Sequence, residues 1–447
     1  MAPRSRTPNL ALAGLMRAGG IGNAQLARAV NLAAAELGIT SHYDKSSVSH
    51  WLKGSVPKEE ARDAVAEALS RLLKRPVTRA EAGLGESDGL DDEPADIAAG
   101  VMDLSRADMD PSRRAVLGAG LYSAALVVPG FDAVAGRAEA ATAGRTVRIG
   151  AGDVRTVRTM TENIADILDD LGGAHARPMA AAFLVNTVGP YLKAGGTEEA
   201  RKAMRSAAAD LVYLTGWMAM YERDHRIGQR YFVKALKLAG AAEDHLTYCR
   251  TLRGMALQAS NLGHGAKSLE LADSAAEAAP VAGPRLTAFL RGQQAHGAAM
   301  VRDRRQAFTR LRETEAALSR ADGRNDHIGG YDRAAYEFHV AHVLWELGDR
   351  PASARALRRS NRVRPTQERQ GRLHTNGLLA RRLLAMRHVE ESCEAWGRFL
   401  DDYTGTSSAR GDEHFAALRH ELRPYRRLPL VRQLSTRARE VARLKVT

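Results

Sequence analysis

Cysteine, aromatic side chains and long apolar runs are all scarce in this chain, and each scarcity excludes something. The two cysteines, Cys249 and Cys393, lie far apart and outside any CxxC or Cys/His ligand spacing. That pattern excludes a structural zinc site and reads as two reduced core thiols. Aromatics make up 5% of the residues while Ala, Leu and Arg dominate, which favours helices over sheets. No stretch reaches the roughly 18 apolar residues of a membrane-spanning helix. Residues 1–20 lack the apolar core of a secretory signal after Arg4 and Arg6.

Catalytic signatures are missing as well. There is no GxSxG, no HExxH, and no GxGxxG between a strand and a helix. Gly263-His264-Gly265-Ala266-Lys267-Ser268 lacks the Gly-Lys adjacency of a phosphate-cradling loop. The Asp169-Asp170 pair has no catalytic companion. His339 and His342 sit at i, i+3 with no third metal ligand at suitable spacing. The expectation is a protein that is not an enzyme and carries neither cofactor nor metal.

What is present is length, helical pattern and positive charge. At 447 residues the chain is too long for one ordinary domain, and 45% hydrophobic content supplies a large core. The formal net charge of +13 suits a polyanionic partner once a motif supports it. Such a motif lies near the N-terminus. Leu10 to Ala18 and a second segment starting near Asn23, a residue suited to an N-cap, show helical apolar spacing. Ser46 to Gly54 then forms a third helix, and Val65, Ala68, Leu69 and Leu72 mark a fourth. This is the layout of a helix-turn-helix domain. On the third helix Lys45, Ser46, Ser49, His50 and Lys53 gather opposite Val48, Trp51 and Leu52. The candidate DNA-contacting set is Asn23, Gln25, Arg28, Lys45, Ser46, Ser47, Ser49, His50 and Lys53. Arg17, Arg28 and Lys53 suit phosphates, and Ser46, Ser49 and His50 suit base edges. Residues 1–85 carry 12 Lys and Arg against 7 Asp and Glu, a modest positive excess.

Gln25-Leu26-Ala27-Arg28-Ala29, followed by Ser47-Val48-Ser49-His50-Trp51-Leu52-Lys53-Gly54 and Pro57, resembles the Cro/phage-repressor class of DNA-binding domains. The gap between these blocks is about ten residues longer than usual. Tyr43-Asp44-Lys45-Ser46-Ser47-Val48-Ser49-His50-Trp51-Leu52-Lys53-Gly54 resembles a variant found in large actinobacterial regulators. Those proteins join a helix-turn-helix domain to degenerate tetratricopeptide repeats and control development and secondary metabolism. The resemblance implies a sequence-specific transcriptional regulator, a repressor by expectation. It also extends to Leu214 to Ala219 and Gly228 to Ala239 in the second half.

From Glu86 to Asp110, nine acidic residues face Arg106 alone, which reads as a flexible acidic linker over 86–111. Residues 112–150 hold an apolar segment behind Arg113-Arg114 that imitates a twin-arginine export signal. Its position after a complete domain argues against export, and an apolar helix of this size must be covered by the body or by a second copy. From 151 to 447 apolar positions recur as helix pairs. Gly216, Gly228, Phe232 and Ala235 fit a tetratricopeptide unit, with weaker units on either side. Intervals run from 28 to about 45 residues rather than a steady ~34. Five to six pairs would make a right-handed superhelix, closed by capping helices at His414 to Leu422 and Leu430 to Leu444.

Concave repeat surfaces hold extended peptides, and the candidate ligand-binding residues are Asn186, Gln258, Gln293, Tyr336, His339 and Asn376. Arg350 to Val389 carries eleven arginines, with Arg355, Arg358, Arg359 and Arg362 on one stripe as a candidate basic patch. The expected architecture is therefore all-α: a helix-turn-helix domain over 1–85, linkers, and a tetratricopeptide-like α-solenoid over 151–447. The expected partners are double-stranded DNA, a second copy as homodimer, and a peptide, protein or small ligand in the groove, with no membrane span. The expected location is cytoplasmic and nucleoid-associated. The alternative is a repeat-protein adaptor that acts through protein partners without touching DNA.

Overall fold

The computed structural model describes residues 7–36, 39, 41–73, 75–85, 96–110, 148–278, 283–321, 331–366 and 368–446. The described residues are helices and their connections. They contain no strand, only an isolated bridge between Arg148 and Gly195. No described helix is long and apolar enough to cross a membrane. The segment behind Arg113-Arg114 lies outside the described residues.

Four helices make the first unit: α1 Leu10–Ala18, α2 Asn23–Glu36, α3 Lys45–Leu52 and α4 Glu59–Leu73. Their apolar stripes meet in one core around Leu12, Leu26, Val30, Val48, Trp51, Val65 and Leu69. Helix α1 ends at Gly20, whose φ of +60° suits the left-handed region that glycine enters without strain.

Residues 97–109, read from composition as part of a flexible acidic linker, form helix α5 (Ile97–Met109). Their acidic residues disguised an apolar stripe. Asp96 caps the helix through the Ala98 amide, and Val101 and Leu104 enter the core of the following body. Asp108 is buried and accepts from Arg177 Nε at 2.9 Å and from the Tyr231 hydroxyl at 3.2 Å. Arg177 also reaches Asp224 at 2.9 Å. A buried, multiply bonded carboxylate of this kind ties α5 to the body instead of leaving it tethered.

The body begins with α6 (Ala151–Leu171) and α7 (Gly173–Phe183), which runs on through a π-helical turn, Leu184–Val188, to Lys193. Ten further described helices follow in pairs. They are α8 (Glu198–Tyr221) with α9 (His225–Ala241), and α10 (His245–Asn261) with α11 (Gly265–Glu277). Next come α12 (Pro284–Met300) with α13 (Arg304–Leu318), and α14 (Arg333–Glu346) with α15 (Arg350–Val363). The fifth is α16 (Arg369–Ala385) with α17 (Val389–Tyr403). Partners pack together, and α8, α10, α12 and α14 touch in succession, so the pairs stack as a solenoid. Helices α18 (Ala409–Glu421) and α19 (Pro429–Val446) close the far end against α16 and α17.

One turn recurs through the body. The second residue after a helix takes positive φ at Arg223, Glu243, Gly263, Arg302, Gly348 and Arg387. The amide of the next residue then bonds back five positions, as in Asp224 to Ala219 at 2.9 Å and Asp349 to Leu344 at 2.9 Å. Asp244, Asp303 and Asp349 then cap the following helix with their carboxylates. These three connections thus satisfy the last carbonyls of one helix and the first amides of the next. Close approach within a pair relies on small residues. A Cβ on Gly216 would lie 3.0 Å from Phe232 and 3.1 Å from the Gly228 carbonyl.

The two ends of the body also meet. The Ser407 amide donates to the Leu171 carbonyl at 2.8 Å, the Ala409 amide donates to Glu222 at 3.1 Å, and α6 packs on α16. The solenoid therefore curls until its first helices touch its last. Cys249 and Cys393 are buried free thiols.

Candidate nucleic-acid interface

Helix α3 is anchored on one side and open on the other. Val48 is fully buried, Trp51 is 4% exposed, and the Trp51 ring meets Tyr43 edge-on with centroids 5.0 Å apart. Lys45, Ser46, His50 and Lys53 are exposed, with Ser49 half-buried between them. The polar stripe read from helical spacing is thus one continuous face carrying two lysines. Gly54, at φ +93°, ends the helix, and the Ser55 amide returns to the His50 carbonyl at 3.0 Å.

The long connection before α3 is held by a residue that sequence reading missed. The Asn31 side chain on α2 donates to the Tyr43 carbonyl at 2.7 Å and accepts from the Tyr43 amide at 2.9 Å. It also accepts from the Ser41 hydroxyl at 3.0 Å. One carboxamide therefore satisfies three groups of the turn and sets the start of α3 against α2. Asn9 plays a similar part for α1. It caps the Leu12 amide at 2.9 Å and donates to the Ala82 carbonyl at 3.0 Å.

The two helix N-termini differ electrostatically. At α2 the Gly22 carbonyl accepts from the Gln25 and Leu26 amides, both at 3.0 Å, and the first turn holds no acidic residue. Gly22 rather than Asn23 thus takes the cap position. Asn23 is half-buried as the first helical residue, with Gln25 and Arg28 exposed beyond it. An uncapped, acid-free N-terminus favours an anion. At α3 the Asp44 carboxylate occupies that place. It accepts from the Ser46 amide at 3.0 Å, the Ser47 amide at 2.9 Å and both serine hydroxyls. Those bonds, the Ser46 hydroxyl first, hold the Asp44 carboxyl well below the usual carboxylate range. Ser46 and Ser47 are consequently committed to the cap, and the side chains left for a groove are Lys45, Ser49, His50 and Lys53.

The four-helix unit touches the body through α4. Glu67 and His264 are both buried, with Glu67 Oε1 2.7 Å from His264 Nε2, and Arg71 Nε donates to the same carboxylate at 2.8 Å. The face of α4 opposite its own core thus carries a polar junction to the α10–α11 turn.

The candidate basic patch divides. Arg359 pairs with Glu337 at 2.9 Å and Arg358 pairs with Glu391. Arg355 and Arg362 are exposed and form no ion pair among the described residues. The six candidate ligand residues do not share a surface. Asn186 is exposed in the π-helical turn. Gln258 is fully buried and donates to the His225 carbonyl at 2.7 Å, while Gln293 donates to Ser260 Oγ at 3.1 Å. His339 Nδ1 lies 2.8 Å from the Tyr331 hydroxyl, and Asn376 accepts from Asn361 at 2.7 Å. Tyr336 is 7% exposed beneath the Arg333 guanidinium. Five of the six are struts within or between pairs. None of the six lines the cavity of about 740 Å³ that opens among α10, α12, α14, α16 and α18. No group of three or more metal-ligating side chains occurs among the described residues.

Comparison with known proteins bears on the first unit alone. Residues 12–85 match a family model described as the SP15 N-terminal domain, a stretch that runs from within α1 through α4. No curated protein and no solved structure is significantly similar to the chain.

Proposed function

We propose that the protein is a sequence-specific DNA-binding transcriptional regulator in which α1–α4 act as a helix-turn-helix domain and α3 enters the major groove. The observation that carries this reading is the α3 face, where exposed His50 and Lys53 flank Ser49 while Val48 and Trp51 lock the opposite side. A helix so held presents side chains at fixed positions, which direct readout requires. Arg28 and the acid-free start of α2 supply phosphate contacts beside it. In this reading the solenoid, of tetratricopeptide type, is the dimerising and sensing half. Two copies would place two α3 helices on a two-fold operator. The resemblance to actinobacterial regulators makes repression of differentiation genes the expected output and the nucleoid the expected location.

A gel shift on the promoter upstream of its own gene tests the reading. Specific, salt-sensitive binding that disappears in the His50→Ala, Lys53→Ala double variant is the expected result. Equal binding by the double variant would remove α3 from the interface.

One observation favours a second reading, an adaptor acting through protein partners. Asp44 places a carboxylate at the N-terminus of α3, where phosphates approach a groove helix. Recovery of a protein partner together with absence of any specific DNA shift would decide for it.

A further inference from the structure

The inner wall of the solenoid carries buried polar groups, and Arg382 among them forms no ion pair within the described residues. Arg382 on α16 is 4% exposed. Its Nη1 donates to the Ala341 carbonyl at 3.1 Å and to Ser353 Oγ at 2.7 Å. Its guanidinium carbon lies 4.8 Å from the centre of the Trp345 ring, and its Nε is buried without a partner. Among the described residues no carboxylate comes within ion-pair distance of it. The neighbouring Arg381 is different, since Glu421 neutralises it at 2.9 Å. Burial, opposed only in part by the charge of Glu346, pulls the Arg382 pKa down to about 9.

Arg382 lines the cavity of about 740 Å³, a size that suits a small ligand. The cavity also holds His296 and His342, whose rings sit 4.7 Å apart. His342 Nε2 is a second buried atom without a partner. Trp345, Leu378, Leu384 and Tyr425 give apolar and aromatic surface around these polar atoms. Glu346 and Glu421 stand on the same wall and oppose multiply charged anions.

We propose that this cavity binds a small organic monoanion, a carboxylate on an aromatic-sized apolar body, with Arg382 receiving the carboxylate and Trp345 the ring. A guanidinium already desolvated and stacked is preorganised for a carboxylate, because its cost of burial is met before the ligand arrives. His342 Nε2 supplies a further hydrogen bond in either tautomer, to a carboxylate oxygen or to a hydroxyl on the ligand. The proposal deepens the reading of the body as a sensing unit and takes its biological meaning from it. Ligand binding is nevertheless measured without DNA, so either can fail alone.

The test is calorimetric titration of the full chain with 2-naphthoate, its neutral analogue 2-naphthamide, and adenosine monophosphate. The expected result is saturable binding of naphthoate, with the other two weaker by about tenfold or more, the worth of a charge-assisted contact. Arg382→Met should weaken naphthoate by at least about tenfold. Because Arg382 also braces Ala341 and Ser353, a second variant, Ala385→Trp, fills the cavity mouth from an exposed position and should abolish binding while the helical circular dichroism is unchanged. Failure of naphthoate to bind, equal binding of naphthamide, preference for the nucleotide, or full retention in both variants would each overturn the proposal.

Discussion

The four-helix unit and the solenoid both bury apolar cores, but the solenoid also buries many more polar side chains. The core of the first is apolar, and its chemistry-bearing side chains, Arg28, His50 and Lys53, face outward. The solenoid buries Gln258, Gln293, Arg253, Arg382 and a row of histidines along its inner helices. Among its described residues the first unit buries only a few polar groups, Glu67, Ser70 and Arg79, at the edges of its one core. A stack of helix pairs has an inner wall, and polar groups there pass hydrogen bonds from one pair to the next. On the reading proposed above, the first unit would meet a macromolecular partner with its outer face and the second would hold a small ligand on its inner wall.

Acid should separate the two halves most strongly. Burial, the leading cause in each case, lowers the pKa of His225 and His414 to about 3 and of His296 to about 4, and puts His339, His342 and His374 well below the usual imidazole value. In the first unit His42 and His50 are both exposed. A histidine with a depressed folded pKa binds its proton more readily when unfolded. Its stabilising contribution is therefore present above about pH 6.5 and is lost as pH falls from there toward its folded value. Each costs roughly 1.4 kcal/mol per pH unit over that window. Hydrogen exchange by mass spectrometry between pH 7 and 5, corrected for intrinsic rates, should show α12, α14 and α16 losing protection ahead of α2 and α4. Simultaneous loss would break the contrast.

Core truncation should act on one half at a time. Trp51 belongs to the first core and Trp396 to the far end of the solenoid, both essentially buried. Replacing either by Ala should cost about 3–5 kcal/mol locally. Exchange protection should fall around α2 and α3 for Trp51→Ala, and around α16 and α17 for Trp396→Ala. A smaller effect is expected at Asn31. Asn31→Ala strips the turn of three hydrogen bonds and should cost roughly 1–3 kcal/mol, read as a lower chemical-denaturation midpoint and weaker DNA binding together. The smallest stability effect belongs to the His50→Ala, Lys53→Ala pair. Both side chains are exposed, and the change should stay within about 0.5 kcal/mol of the parent by denaturant titration.

Much of the helical plan was legible in the sequence because amphipathic spacing reports it directly. The α1 range, the polar stripe of α3 and the close approach at Gly216 and Gly228 were all readable in this way. Three features were not. Asn31 acts across a turn whose path no local pattern reveals. Helix α5 hid behind its acidic composition, although Ile97, Val101 and Leu104 carry the stripe. The recurring left-handed turn was obscured because Arg223, Arg302 and Arg387 stand where glycine would have marked it. The candidate ligand residues share a further difficulty. A polar residue on the inner stripe of a repeat helix looks the same whether it faces a groove or, like Gln258 and Gln293, braces the neighbouring pair. Arg382, which does line the cavity, was passed over within a general excess of arginine.

The central claim is that the exposed face of α3 selects DNA sites, and genome-wide occupancy of the tagged protein beside its His50→Ala, Lys53→Ala variant tests it most directly. Discrete promoter sites occupied by the parent and lost by an equally abundant variant are the expected result. Identical occupancy by the two proteins, or no sites for either, would contradict it.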